Sequence, residues 1–112
     1  MTGSTLVPST LVFFVKLRLK PDCIDEWLTA LEELLRDMQR EPAFVSCHLD
    51  RDAHDPCLYT LYEHWNEPSV EAFLAHQTTD YRDRYDALLP RLLQGPREPQ
   101  VLLPQRHWAR AD

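Results

Sequence analysis

Apolar and polar positions trade places along this chain with two periods, and the changes of period mark its elements. Leu11 to Lys20 (LVFFVKLRLK) alternates as a strand does: Leu11, Phe13, Val15, Leu17 and Leu19 face one way, and Val12, Phe14, Lys16, Arg18 and Lys20 the other. Pro21-Asp22 ends that strand, and Asp22 is placed to cap the helix that follows. From Cys23 to about Arg40 the period lengthens. Ile24, Trp27, Leu31, Leu34, Leu35 and Met38 recur every three or four residues, with acids and Arg36 between them. Trp27 on this stripe is read as a core residue. Glu41-Pro42 ends the helix, because a residue before proline avoids the helical region.

Ala43–Asp52 and Cys57–Asn66 alternate again, joined by the turn residues Ala53-His54-Asp55-Pro56. A tight hairpin pairs Phe44 with Trp65, Ser46 with Glu63 and His48 with Leu61, all on one face. The stretch Tyr59 to His76 (YTLYEHWNEPSVEAFLAH) is the most informative part of the chain. Its strand half sets Tyr59, Leu61, Glu63 and Trp65 on one face and Leu58, Thr60, Tyr62 and His64 on the other. It turns at Asn66-Glu67-Pro68, with Pro68 suited to a first helical turn. Val70, Phe73 and Leu74 then form a short helical stripe that ends near His76. Tyr81 to Leu93 is a third helical piece, with Pro90 expected to kink or shorten it and Gly95 expected to cap it. Pro99 to Trp108 (PQVLLPQRHW) reads as a fourth strand, and Pro104 puts it at an edge or a bulge.

Strand, helix, strand, strand, helix, strand is the order of a ferredoxin-like βαββαβ fold, α+β with an antiparallel sheet. The helices cover one sheet face only. Val12, Phe14, Val45, Cys47, Leu58 and Tyr62 leave the other face partly apolar, and a two-fold partner would bury it. A homodimer with a barrel-like α/β core is therefore expected. The domain spans 11–105, between a loose tail at 1–10 and a C-terminal tail at 106–112.

Composition narrows the function. A chain of 112 residues holds one core. The net charge of −6, with arginines scattered among acids, excludes a nucleic-acid backbone partner. No apolar run is long enough for a membrane span, and no signal-peptide core precedes a cleavage site, so a cytoplasmic protein is expected. Three cysteines without Cys-x-x-Cys spacing read as buried free thiols. Two glycines cannot build a phosphate-binding loop, and five histidines without paired spacing do not make a metal site.

The segment LYEHWNEPSVEAFLAH resembles the Glu-x-Trp followed by His of the antibiotic biosynthesis monooxygenase domains. That family includes quinol monooxygenases and the small oxygenases that convert anthrones to quinones. LKPDCIDEW is similar to their strand-to-helix corner, and REPAFVSCHLDRDAHDP to their second strand and hairpin. The resemblance runs from about Leu11 to Leu103. It implies a dimeric ferredoxin-like barrel with a pocket between sheet and helices, and oxygenation of electron-rich aromatics without metal or flavin. Glu63, Trp65 and His76 match the motif. Tyr81 stands where many members have a second histidine. The haem-degrading branch carries an asparagine on the first strand, where this chain has Phe13, Val15 and Leu17.

Cofactor-free oxygenation asks the protein for a base, hydrogen bonds to an anion and a dry cavity. His76 is the expected base, since imidazole titrates near neutral pH. Trp65 would stack on an aromatic substrate. Glu63 would orient His76 or polarise the substrate, with Phe13, His48, Tyr81 and Tyr85 as further lining. The expected substrates are dioxygen and a phenolic, quinol or anthrone-like aromatic. Two other classes stay open: a non-oxidative isomerase or cyclase on the same scaffold, and a non-catalytic dimeric binding module.

Overall fold

β1 (Leu11–Arg18) is a central strand because both its faces can be buried, and even outward Val12 is nearly inaccessible. The computed structural model describes residues 9–111 and sets β1 in a four-stranded antiparallel sheet. Its partners are β2 (Phe44–Arg51), β3 (Leu58–Trp65) and β4 (Glu98–Leu102), in the order β2-β3-β1-β4. β4 is an edge strand paired only with β1, which is why it tolerates Pro99. Three helices lie over one face: α1 (Ile24–Met38), α2 (Val70–Ala75) and α3 (Asp80–Leu92). This is the ferredoxin-like α+β arrangement read from the sequence. Residues 1–8 of the expected N-terminal tail lie outside the described residues. No described helix is long and apolar enough to cross a membrane.

The core forms where the inward row of β1 meets the stripe of α1. Leu11, Val15, Leu17 and Leu19 are buried against Trp27, Leu31, Leu34 and Met38. The far end of α3 is tied to the end of β1 by Lys20 N–H to the Leu92 carbonyl (2.9 Å) and Gln94 N–H to the Arg18 carbonyl (2.8 Å).

Several local expectations are corrected. Asp22 does not cap α1; it lies in a short 3₁₀ turn, Pro21–Cys23, and no side chain caps the helix after it. Ser69 caps α2, accepting from Ala72 N–H at 3.0 Å, so Pro68 precedes the helix. Pro90 sits inside the last turn of α3, which continues to Leu92. Gly95 adopts no left-handed conformation, and α3 ends at an extended Leu93 instead. β4 stops at Leu102, short of Pro104. The three free cysteines are half-buried, not fully buried.

The correction with most consequence is a bulge. Phe44 faces Trp65 as expected, but the register shifts between Phe44 and Ser46, so Val45 is the extra residue. Beyond it Ser46 opposes His64, Cys47 opposes Glu63 and His48 opposes Tyr62. Cys47 thereby turns toward the helices and packs against the core, while His48 turns to the open face. The open face still carries a ring cluster: Phe14 lies 5.7 Å from Tyr62, Tyr62 5.2 Å from His64, and His64 6.3 Å from His48.

α2 is only six residues long, too short to hold itself, and Phe73 is its one buried side chain. Phe73 is fully buried, 5.3 Å from Phe13 and 5.7 Å from Trp65. Phe73→Ala should cost about 3–5 kcal/mol of folding free energy, as such core deletions do. Urea unfolding would measure it, and a loss below about 1 kcal/mol would mean that α2 is held by other contacts.

Candidate functional site

The inward rows of β1 and β3 do not fill the whole space beneath the helices. A cavity of about 240 Å³ remains, floored by Phe13, Val15, Leu17 and Leu61. Leu34 and Met38 of α1 and Leu74 after Phe73 enclose it, and its polar lining is Glu63, Gln77, Arg82, Tyr85, Asp86 and Arg97.

Glu63 is 6% exposed, in the middle of β3 opposite Phe13. Its Oε1 accepts from the indole N–H of Trp65 at 3.0 Å. Its Oε2 meets no donor among the described residues. Since no buried polar side-chain atom there lacks a partner, Oε2 is open to the cavity. Burial pushes the Glu63 carboxyl up to about 7, against the opposing pull of the Trp65 N–H and of the Arg82 and Arg97 guanidiniums. A carboxyl with that value can take or give a proton near neutral pH.

Trp65 is fully buried and does not line the cavity. It is wedged between Phe44, Phe73 and Arg82, whose guanidinium lies 5.5 Å from its ring centre. Its contribution is the N–H to Glu63. Arg82 is itself buried and well engaged: it donates to the His76 carbonyl (3.1 Å), to Thr79 Oγ1 (3.3 Å) and to Glu41 (3.1 Å). Tyr85 accepts from Trp27 Nε1 at 2.9 Å, which leaves its own O–H hydrogen as a donor at the cavity wall. Burial drives the Tyr85 phenol up to about 12, so it stays protonated.

The other expected site residues stand apart. His76 closes α2 as its C-terminal cap, with its side chain 61% exposed and Nδ1 2.8 Å from Glu67 Oε2. It faces a separate groove with Glu41, Thr79 and Tyr81, and Arg82 stands between that groove and the cavity. The expectation that imidazole and indole share one hollow is corrected: one ring is outside and the other inside packed protein. Glu63 does not orient His76; Glu67 does. Tyr81 bonds Glu41 and lines the outer groove. His48 is on the opposite sheet face because of the bulge. Glu63, Phe13 and Tyr85 are the three expected residues that the cavity brings together. Arg82, Arg97, Asp86 and Glu67 were missed; sequence position marked none of them, since their burial or pairing is tertiary. Among the described residues no cluster of three or more His, Cys, Asp or Glu is suited to a metal ion.

Glu63 also makes stability depend on pH. Its folded value of about 7 lies above its ordinary 4.5, so the folded state holds this proton more tightly. Its contribution is full below pH 4.5 and is lost as pH rises to about 7. At about 1.4 kcal/mol per pH unit, that interval amounts to about 3 kcal/mol. Glu63→Gln should therefore match the parent in urea unfolding at pH 4.5 and exceed it by up to about 3 kcal/mol at pH 8. An increment that does not grow with pH would mean that Glu63 is not held neutral by burial.

Comparison with known proteins agrees with this architecture. The chain superposes on a conserved protein from Methanosarcina mazei Go1 with a TM-score of 0.78, at 16% identity, covering 87% of this chain and 94% of that one. Rv0793 from Mycobacterium tuberculosis gives 0.77 at 22% identity, over 90% and 100% of the two chains. SnoaB, a cofactor-independent oxygenase from Streptomyces nogalater, gives 0.75 at 15% identity, over 89% and 97%. No curated protein matches the chain by sequence. Residues 10–87 match the antibiotic biosynthesis monooxygenase family, and the chain belongs to that family.

Proposed function

We propose that this protein is a cofactor-independent monooxygenase that oxidises a phenolic, quinol or anthrone-like aromatic with dioxygen, as a cytoplasmic homodimer. The observation that carries the reading is Glu63: one buried carboxyl, titrating near 7, with a free oxygen facing a cavity that has an apolar floor. Family membership and the likeness to SnoaB support the same class of chemistry.

Glu63 Oε2 removes the phenol proton, and Tyr85 O–H donates to the oxygen that becomes anionic. A phenol near 10 and a base near 7 differ by about 4 kcal/mol, which hydrogen bonding to the anion has to offset. The phenolate passes one electron to dioxygen. The radical and superoxide join through a carbon–oxygen bond at the ring, and Glu63 returns its proton to the peroxide. Loss of the ring C–H proton with cleavage of the O–O bond expels water and leaves a second carbonyl. The sum is phenol plus dioxygen giving quinone plus water. The apolar floor keeps water from the radical pair. A void of roughly 150 Å³ holds benzene, so about 240 Å³ suits one or two rings better than three.

The open sheet face supports the homodimer. Phe14, Tyr62 and His64 form a cluster of rings there, without a described helix above it.

Oxygen uptake on hydroquinones and anthrones, without added flavin or metal, tests the reaction. Activity should rise with pH to a half-maximum near 7, and Glu63→Gln should lower kcat at least about 100-fold. His76→Ala should keep most of the activity. The reverse pattern would assign the base to the outer groove, and turnover of a substrate without oxygen uptake would favour the isomerase class. Phe14→Lys should convert the dimer to monomer in sedimentation velocity; a parent chain that sediments as a monomer would remove the dimer from the proposal.

A further inference from the structure

The arginines around the helical layer differ in what their donors are doing. Arg91 is forked onto Glu26, and Arg82 is spent on His76, Thr79 and Glu41. Arg97 is not spent. It makes one ion pair, Nη1 to Asp86 Oδ1 at 2.9 Å, and its other N–H groups meet no acceptor among the described residues.

Its place is set by the edge strand. By alternation Arg97 shares a side with Pro99 and Val101, whose β1 partners Val15 and Phe13 face the cavity. Arg97 and Asp86 both line that cavity, with side chains 34% and 45% exposed. They therefore stand where it meets solvent, while Glu63 lies deep in it. The interior feels the cation of this pair more than the anion. The Arg97 charge acts on both Glu63 and Tyr85, and Asp86 acts on Tyr85 alone. With Arg82 adding a second guanidinium at the wall, two cations bear on the buried Glu63 carboxyl from the cavity lining.

We infer that Arg97 selects an aromatic substrate bearing a carboxylate, which displaces Asp86 at the cavity mouth while the phenol end reaches Glu63. The guanidinium fork offers two parallel N–H bonds to a planar carboxylate, where Asp86 now takes one contact. Asp86 is exposed enough to be released into water at little cost. The two ends of the substrate are kept apart for an electrostatic reason: a carboxylate beside Glu63 would oppose the loss of the phenol proton. A hydroxylated benzoate or naphthoate meets these demands and the volume. This substrate class rests on the reading of the cavity as the oxidation site, but recognition of the carboxylate can be measured without turnover.

Calorimetric titration under nitrogen with 4-hydroxybenzoate and 4-hydroxybenzamide, equal in shape and different in charge, is the test. The full chain should bind the benzoate about tenfold more tightly. Arg97→Gln should erase that preference, weakening benzoate binding far more than benzamide binding, and Asp86→Asn should raise benzoate affinity. Equal binding of the two ligands by the parent, binding of neither, or a preference that survives Arg97→Gln overturns the inference. Oxygen uptake on 2,5-dihydroxybenzoate is read separately. A carboxylate preference without uptake sinks the oxidation reading alone, and uptake without a preference sinks only the role of Arg97.

Discussion

A carboxyl group held in apolar surroundings next to a single N–H donor is the constraint that the rest of this molecule answers to. Glu63 could be relieved by moving it to the open face of the sheet, one residue away, yet alternation along β3 fixes it inward between Leu61 and Trp65. Removing the charged form from water costs several kcal/mol, and one indole bond returns only part of that. The residual cost appears as a carboxyl that holds its proton up to neutral pH. Stability given up in this way is a common mark of a functional group, because a residue serving only to pack would not need to be an acid.

That one bond requires a long line of support. Trp65 can aim its N–H at Glu63 only if its ring is fixed, and the ring is fixed by Phe44 on β2, Phe73 on α2 and the Arg82 guanidinium on α3. Arg82 is held in turn by Glu41, which also bonds Tyr81. Every element that surrounds Trp65 thus contributes one contact to it. Tyr85 is fixed in the same manner from the other side, since Trp27 of α1 donates to its oxygen. Two indoles, neither of which lines the cavity, orient two of the polar groups that do, Glu63 and Tyr85.

The fold was legible because its information is periodic. The strand faces of β1 and β3 and the stripe of α1 follow directly from spacing, and that logic alone puts Glu63 and Phe13 on the cavity side. What spacing cannot carry is an inserted residue. Val45 belongs to an unbroken alternating run, so nothing in AFVSCHLD announces that the ladder skips there, and the skip exchanges the faces of Cys47 and His48. Charged residues are illegible for another reason. Arg82 and Arg84 read alike on a polar helix, yet one is buried against Trp65 and the other exposed, because only the first lies over the Glu41 corner.

His76 shows how a motif can keep its spacing and change its task. The helix before it has only six residues, so His76 falls at its C-terminal cap, and its ring lies largely in solvent. There it meets Glu67, whose carboxyl is almost wholly buried and whose backbone is clamped by Thr10: Thr10 Oγ1 donates to the Glu67 carbonyl at 2.6 Å and accepts from Glu67 N–H at 2.7 Å. The imidazole therefore joins the end of α2 to the corner that follows Trp65. Its backbone carbonyl performs a second fastening, to Arg82. Both contacts act on the two residues, Trp65 and Arg82, that frame Glu63 from behind. In the proposed reaction His76 is accordingly a positioning residue. Its ring secures the wall of the cavity from outside, and the proton chemistry falls to the acid within.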